Sequence, residues 1–207
     1  SVEGQAALSA LTQSLVTTTK APFPFKVQVS SSPLVNAIAL PGGHIILFQG
    51  LIAAAQSPEE VAGVLAHEMA HQVQRHPMRG LIRAAGLRLV IGALAGGSGT
   101  LGGVGELILG LSYNRQDETE ADRIGVEMLN QANIRGDGLV AFFARQSAGG
   151  QNGSSAAEQK TAARVAQFFS THPADEARVA TITARARGTE SGLTKKQWQA
   201  LQTICQE

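Results

Sequence analysis

The chain has 207 residues, 43% of them hydrophobic, enough to bury one sizeable core, so a single domain over residues 1–207 is expected. Its 17 basic and 16 acidic side chains leave a net charge of +1 with no Lys/Arg-rich run, which argues against a nucleic-acid partner. A lone cysteine, Cys205, rules out an intramolecular disulfide and leaves the redox compartment open.

Leu8, Leu11 and Leu15 recur at helical spacing and predict an N-terminal amphipathic helix that ends near Thr17 to Thr19. No basic stretch followed by an apolar one precedes it, so a secretory segment is either absent or already removed, and removal is the favoured reading. Phe25, Val27 and Val29 alternate with polar residues, and Val35 to Leu40 and His44 to Phe48 flank the turn Pro41-Gly42-Gly43, which predicts a small sheet of about three strands. From Ser57 onward the pattern is helical. Ser57-Pro58-Glu59-Glu60 supplies an N-cap, an N1 proline and a capping-box Glu for a helix expected to run to His76.

A second helix is expected over Leu81 to Leu94, then a glycine-rich connection, then a long helix from about Glu106 to Gln131. The 17 residues from Leu89 to Gly105 carry no charge but contain seven glycines, which disfavours a bilayer helix and leaves a membrane-surface or plug role as the alternative. Gln151 to Ser155 reads as an exposed loop, and closing helices are expected around Asp175 to Arg187 and Thr194 to Ile204.

The chemistry concentrates in His67-Glu68-Met69-Ala70-His71. Residues four apart on a helix lie about 40° apart around its axis, so both imidazoles can reach one metal while Glu68 sits beside them to act as general base on a water. A third ligand is needed, and Asp117, Glu118, Glu120 and Asp122 are the candidates. If Ala121, Ile124, Gly125, Met128 and Leu129 face the core, Asp117 and Glu118 lie near that face and Glu120 points away. Glu118 alone has an acidic partner one turn on, Asp122, which could hydrogen-bond a ligating histidine from behind. His76 lies about 140° from His71 on a continuous helix and is read as a helix end, and His44 as an exposed strand residue.

Four features together resemble the HtpX/Oma-type zinc metallopeptidases, the group that includes the CAAX prenyl endopeptidases and the BepA-like proteases. They are Asn36 to Gly43 with Gly50-Leu51 behind, His67-Glu68-x-x-His71, Glu118-x-x-Ala121-Asp122, and His172-Pro173 followed by Arg178. The resemblance spans roughly Phe25 to Arg187. It implies a mainly helical α+β zincin-like fold with the small sheet packed on the active-site helix, one zinc per chain, and Glu118 as third ligand. It also implies that Ile38, Ala39 and Leu40 pair with an extended polypeptide substrate. His172 and Arg178 come near the metal as stabilisers of the oxyanion, with a resting-state fourth ligand as the other role for His172.

The implied activity is that of a zinc metalloendopeptidase acting on extended or unfolded chains in envelope quality control. A catalytically weak binding or chaperone module of the same fold is the alternative; a closed-pocket small-molecule metallohydrolase is a third. Many relatives carry transmembrane helices and none is evident here, which leaves a soluble or lipid-anchored protein. The bacterial periplasm or envelope is the expected setting, with the cytoplasm as alternative.

Overall fold

The computed structural model describes residues 1–86, 113–149, 170–173 and 176–206. Helix α1 spans Val2–Val16 and is capped by Ser1, whose hydroxyl accepts from the Gly4 N–H. Its Leu8, Leu11 and Leu15 form the buried stripe that their spacing predicts. Each contributes about 1.5–3 kcal/mol by leaving water, so this stripe decides how α1 docks.

Three strands follow, β1 (Lys26–Ser30), β2 (Ala37–Leu40) and β3 (His44–Phe48), in the order β1-β3-β2. β3 pairs parallel with β1 and antiparallel with β2, Ile38 opposite Ile46 and Leu40 opposite His44. The β2–β3 turn needs its glycines: Gly42 and Gly43 both have φ 88°, and a Cβ on Gly43 would lie 2.3 Å from the Pro24 carbonyl oxygen.

Among the described residues β2 is an edge strand. Phe48 N–H donates to the Asn36 carbonyl at 3.1 Å, so by antiparallel alternation Ile38 and Leu40 bond towards β3, while the backbones of Ala37 and Ala39 face away from it, on a side where both residues are at most 2% exposed and Ala39 turns towards Glu68.

Among the described residues the remaining helices are α2 (Gln49–Ala54), α3 (Pro58–Val73), α4 (His76–Ala85), α5 (Arg115–Gln131), α6 (Asp137–Gly149), α7 (Glu176–Arg185) and α8 (Lys195–Gln202). α3 is the axis of the molecule, buried at every residue from Glu59 to Gln72. Helices α5 and α6 and strand β2 pack around it, α7 covers α5, and α8 pairs with α1. The result is the mainly helical α+β architecture with a small sheet on the central helix. No helix among the described residues is long and apolar enough to cross a membrane.

The differences from expectation are local. Helix α3 ends at Val73 rather than His76, because Arg75 takes a left-handed conformation (φ 56°) and His76 opens α4, with Pro77 in its first turn. The second helix therefore begins five residues before Leu81 and stops at Ala85 rather than running on to Leu94, because Gly86 takes φ 74°; the glycine-rich connection and the Gln151 loop lie outside the described residues. Within the described part the long helix starts at Arg115, capped by the Asn114 side chain. The capping box at Ser57 does not form: the Glu60 carboxylate instead accepts from the Gln56 N–H at 2.9 Å and pairs with Arg145. Helices α2 and α6 were not anticipated.

Candidate active site

Helices α3 and α5 carry most of the site, and their close approach brings it together. A Cβ on Gly125 would lie 3.2 Å from both the Ala66 carbonyl carbon and the His67 nitrogen, so this glycine lets α5 lie directly on the turn that bears His67. His67, Glu68, His71, Glu118, Asp122, His172 and Arg178 are all at most 2% exposed.

The side chains converge on one point. Nε2 of His67 and Nε2 of His71 are 3.0 Å apart; Glu118 places Oε2 3.5 Å from the first and Oε1 3.3 Å from the second. His172 adds Nδ1 at 3.3 Å from His67 Nε2 and 3.1 Å from Glu118 Oε1. All four donors fall within 4.8 Å of one another. Tetrahedral ligands at zinc–nitrogen distances of about 2.0–2.1 Å stand about 3.3 Å apart, so the donor set and its spacing fit a zinc ion. Both Glu68 oxygens are buried, with the Ala39 backbone N–H and His172 Nε2, the latter at 3.3 Å, facing the carboxylate, which places it beside the metal position as a base for a water.

Behind these groups stands a layer of charged and polar partners. His67 Nδ1 lies 2.9 Å from Asp122 Oδ1. Arg178 in turn holds Asp122 through two hydrogen bonds, and its Nη1 reaches both the Pro173 carbonyl at 2.6 Å and Glu118 Oε2 at 2.7 Å. Its guanidinium lies 5.0 Å from the centre of the Phe143 ring.

His71 is backed by His76, Nδ1 to Nδ1 at 2.8 Å, and the Tyr113 ring stacks on it with centroids 4.0 Å apart. Neither His76 nor Tyr113 was anticipated as part of the site. Gln72 was missed too: its amide donates to the carbonyls of Leu40 and His44 and accepts from Gly43 N–H at 3.3 Å, which fixes the β2–β3 hairpin to α3.

Electrostatics follow from this packing. Burial pushes the Glu68 carboxyl above its usual range, opposed by positive charge on His172 and His67. For Glu118 burial pulls the same way but loses, and the charge and hydrogen bond of His172, with His67, hold it far below the usual carboxylate range. Burial lowers His71 well below an ordinary histidine. For His67 burial also lowers, yet hydrogen bonds with Asp122 and Glu118 outweigh it and raise the imidazole to about 9.

A profile of Peptidase family M48 matches residues 3–186. This chain belongs to that family. It is 28% identical over 190 residues to "Mitochondrial metalloendopeptidase OMA1" of Schizosaccharomyces pombe, covering 87% of this chain and 53% of that one. Against "Putative beta-barrel assembly-enhancing protease" of Vibrio cholerae it is 32% identical over 167 residues, 74% of this chain and 33% of the relative. Against "Beta-barrel assembly-enhancing protease" of Escherichia coli K12 the figures are 27% over 179 residues, 79% and 34%. The chain thus spans a third to a half of the length of these curated relatives. Membership of M48 places it among the metallopeptidases.

Proposed function

We propose that this domain is a zinc-dependent endopeptidase of extended polypeptides, in a resting arrangement in which His172 would join His67, His71 and Glu118 in holding the metal. The observation that carries the reading is the set of 3.0–3.5 Å separations among the donor atoms of His67, His71, Glu118 and His172. His67, His71 and Glu118 would hold one ion per chain. Zinc, when bound, supplies a Lewis acid that polarises the scissile carbonyl and acidifies water towards neutral pH.

The chain's own groups do the rest. Glu68 takes the proton of the attacking water and delivers it to the leaving amine, a role suited to a carboxyl whose burial raises its pKa. Ile38, Ala39 and Leu40 are the proposed substrate strand: the side of β2 turned away from β3, buried at Ala39 in this arrangement, would open to add the substrate as another strand, which reads main chain more than side chains. His172 would have to move away from His67 and Glu118 for water and substrate to enter. Its Nε2 contact with Glu68 and its Nδ1 contacts with His67 and Glu118 make it a latch over the base and the metal position together.

For Arg178 we favour positioning over oxyanion stabilisation. Its guanidinium is engaged by Asp122, Glu118 and the Pro173 carbonyl, so it holds two metal-facing carboxylates from behind. An envelope setting is proposed alongside, in keeping with the relatives named beta-barrel assembly-enhancing protease; extended or unfolded chains as substrates are carried over from the family resemblance.

Metal analysis after dialysis tests the ligand set. One zinc per chain is expected for wild type and substoichiometric zinc for His67→Ala and Glu118→Ala; full retention by either variant would overturn the assignment.

A further inference from the structure

Each of the two histidines that face the metal position needs its outer nitrogen fixed, because only a ring held in one tautomer and one orientation presents its inner lone pair steadily. For His67 the carboxylate of Asp122 stands directly behind, at 2.9 Å. For His71 none of the described carboxylates does. Its Nδ1 meets another imidazole, His76 Nδ1, at 2.8 Å, and the far side of that ring, Nε2, lies 3.4 Å from Glu120 Oε2 and 3.5 Å from Asp117 Oδ1.

The tautomers along this chain are forced if His71 turns a lone pair inward at Nε2. Its proton then sits on Nδ1 and donates to His76 Nδ1, so His76 carries its own proton on Nε2, where the two carboxylates accept it. A single orientation of protons satisfies every group from the metal position to the surface of α5.

We propose that His76 is a positioning residue for His71, relaying the hold of Asp117 and Glu120 to the second metal-facing imidazole. The backbone supports the assignment independently. On a continuous helix His76 would point about 140° away from His71. Arg75, a non-glycine residue at φ 56° and ψ 28°, breaks the helix at the one place that swings His76 back, and its ring is fully buried. Such a conformation is disfavoured for a residue that carries a Cβ, and here its structural result is the contact between the two imidazoles. Arg79, within 3.9 Å of Asp117, and Arg83, at 3.2 Å, keep that carboxylate in place beside His76.

The inference rests on the zinc reading of His71, and the test separates the two. Zinc-loaded wild type, His76→Ala, His76→Gln and the double variant Asp117→Asn/Glu120→Gln are titrated with a chromophoric chelator at fixed pH, with circular dichroism to verify folding. Cobalt-substituted samples report the ligand field. His76→Ala should release zinc about 10–100-fold more readily and alter the cobalt spectrum. His76→Gln should recover most of the affinity, because its amide oxygen can accept from His71 and its NH2 can donate to the carboxylates. The double variant should fall between wild type and His76→Ala.

Zinc affinity within twofold of wild type in His76→Ala overturns the relay. Should that variant fail to fold, wild-type affinity in the folded double variant overturns it equally. Full zinc in His71→Ala would instead sink the ligand reading itself.

Discussion

Arg178 grips Asp122 with a two-pronged hold, Nε to Oδ2 at 2.6 Å and Nη2 to Oδ1 at 2.8 Å, in a setting where both side chains are at most 2% exposed. Lysine keeps the charge but not the planar fork. Arg178→Lys should therefore loosen Asp122 and, through it, His67, lowering zinc affinity by about 10–100-fold. Arg178→Ala removes the one guanidinium shared by two buried carboxylates, leaving them only their histidine partners, and should cost about 3–5 kcal/mol of stability, read by chemical denaturation. If Arg178 were instead an oxyanion donor alone, Arg178→Lys would lower turnover with zinc affinity unchanged.

His172 separates two accounts of the same side chain. As a latch on the fourth vertex, 3.3 Å from Glu68, it blocks water, so His172→Ala should cleave an unfolded substrate faster at unchanged zinc content. As a transition-state donor its loss would slow cleavage by about 100- to 1,000-fold. A side-by-side rate measurement on the zinc-loaded proteins distinguishes them by sign.

Gly125 tests the helix contact on which the site is built. A methyl group there meets backbone of Ala66 and His67 at 3.2–3.3 Å, and backbone inside α3 has little room to move. Gly125→Val should cost about 1–3 kcal/mol or more by overpacking and weaken zinc binding, whereas valine at the exposed Arg123 of the same helix would leave zinc binding unchanged.

Glu59, only 3% exposed and 3.2 Å from Arg135, predicts part of the response to acid. Burial alone would raise its carboxyl, but hydrogen bonds from Ser191, the backbone and Ser57, with the Arg135 charge, hold it below the usual value of 4.5. A depressed folded-state pKa adds stability that is present above the unfolded value and is lost as pH falls through the folded one. Glu59→Gln should therefore flatten the stability curve below about pH 4.5 relative to wild type, measured by denaturation across pH.

Much of this was legible in the sequence because it rests on local spacing. The leucine stripe of α1, the hairpin around two glycines and the i, i+4 pair His67 and His71 each fit within a few residues, and the helical wheel already put Glu118 on the inner face and Glu120 outside. What escaped depends on contacts far along the chain or on a single backbone dihedral. Glu60 looks like a capping residue until Arg145, 85 residues away, claims its carboxylate. His76 looked averted from the site because the wheel assumes an unbroken helix, and nothing in Gln74-Arg75-His76 announces a left-handed arginine. Gln72 and Tyr113 gain their roles only once β2 and α5 have packed against α3.

The central claim is that Glu68 drives peptide hydrolysis at a zinc held by His67, His71 and Glu118. Digestion of unfolded casein by zinc-loaded wild type, with and without chelator, beside Glu68→Gln tests it most directly. Glutamine preserves the shape but cannot take the proton, so the variant should keep its zinc and its fold and lose cleavage, as wild type should with chelator. Cleavage by Glu68→Gln within a few-fold of wild type, or by wild type after its metal is removed, would contradict the account.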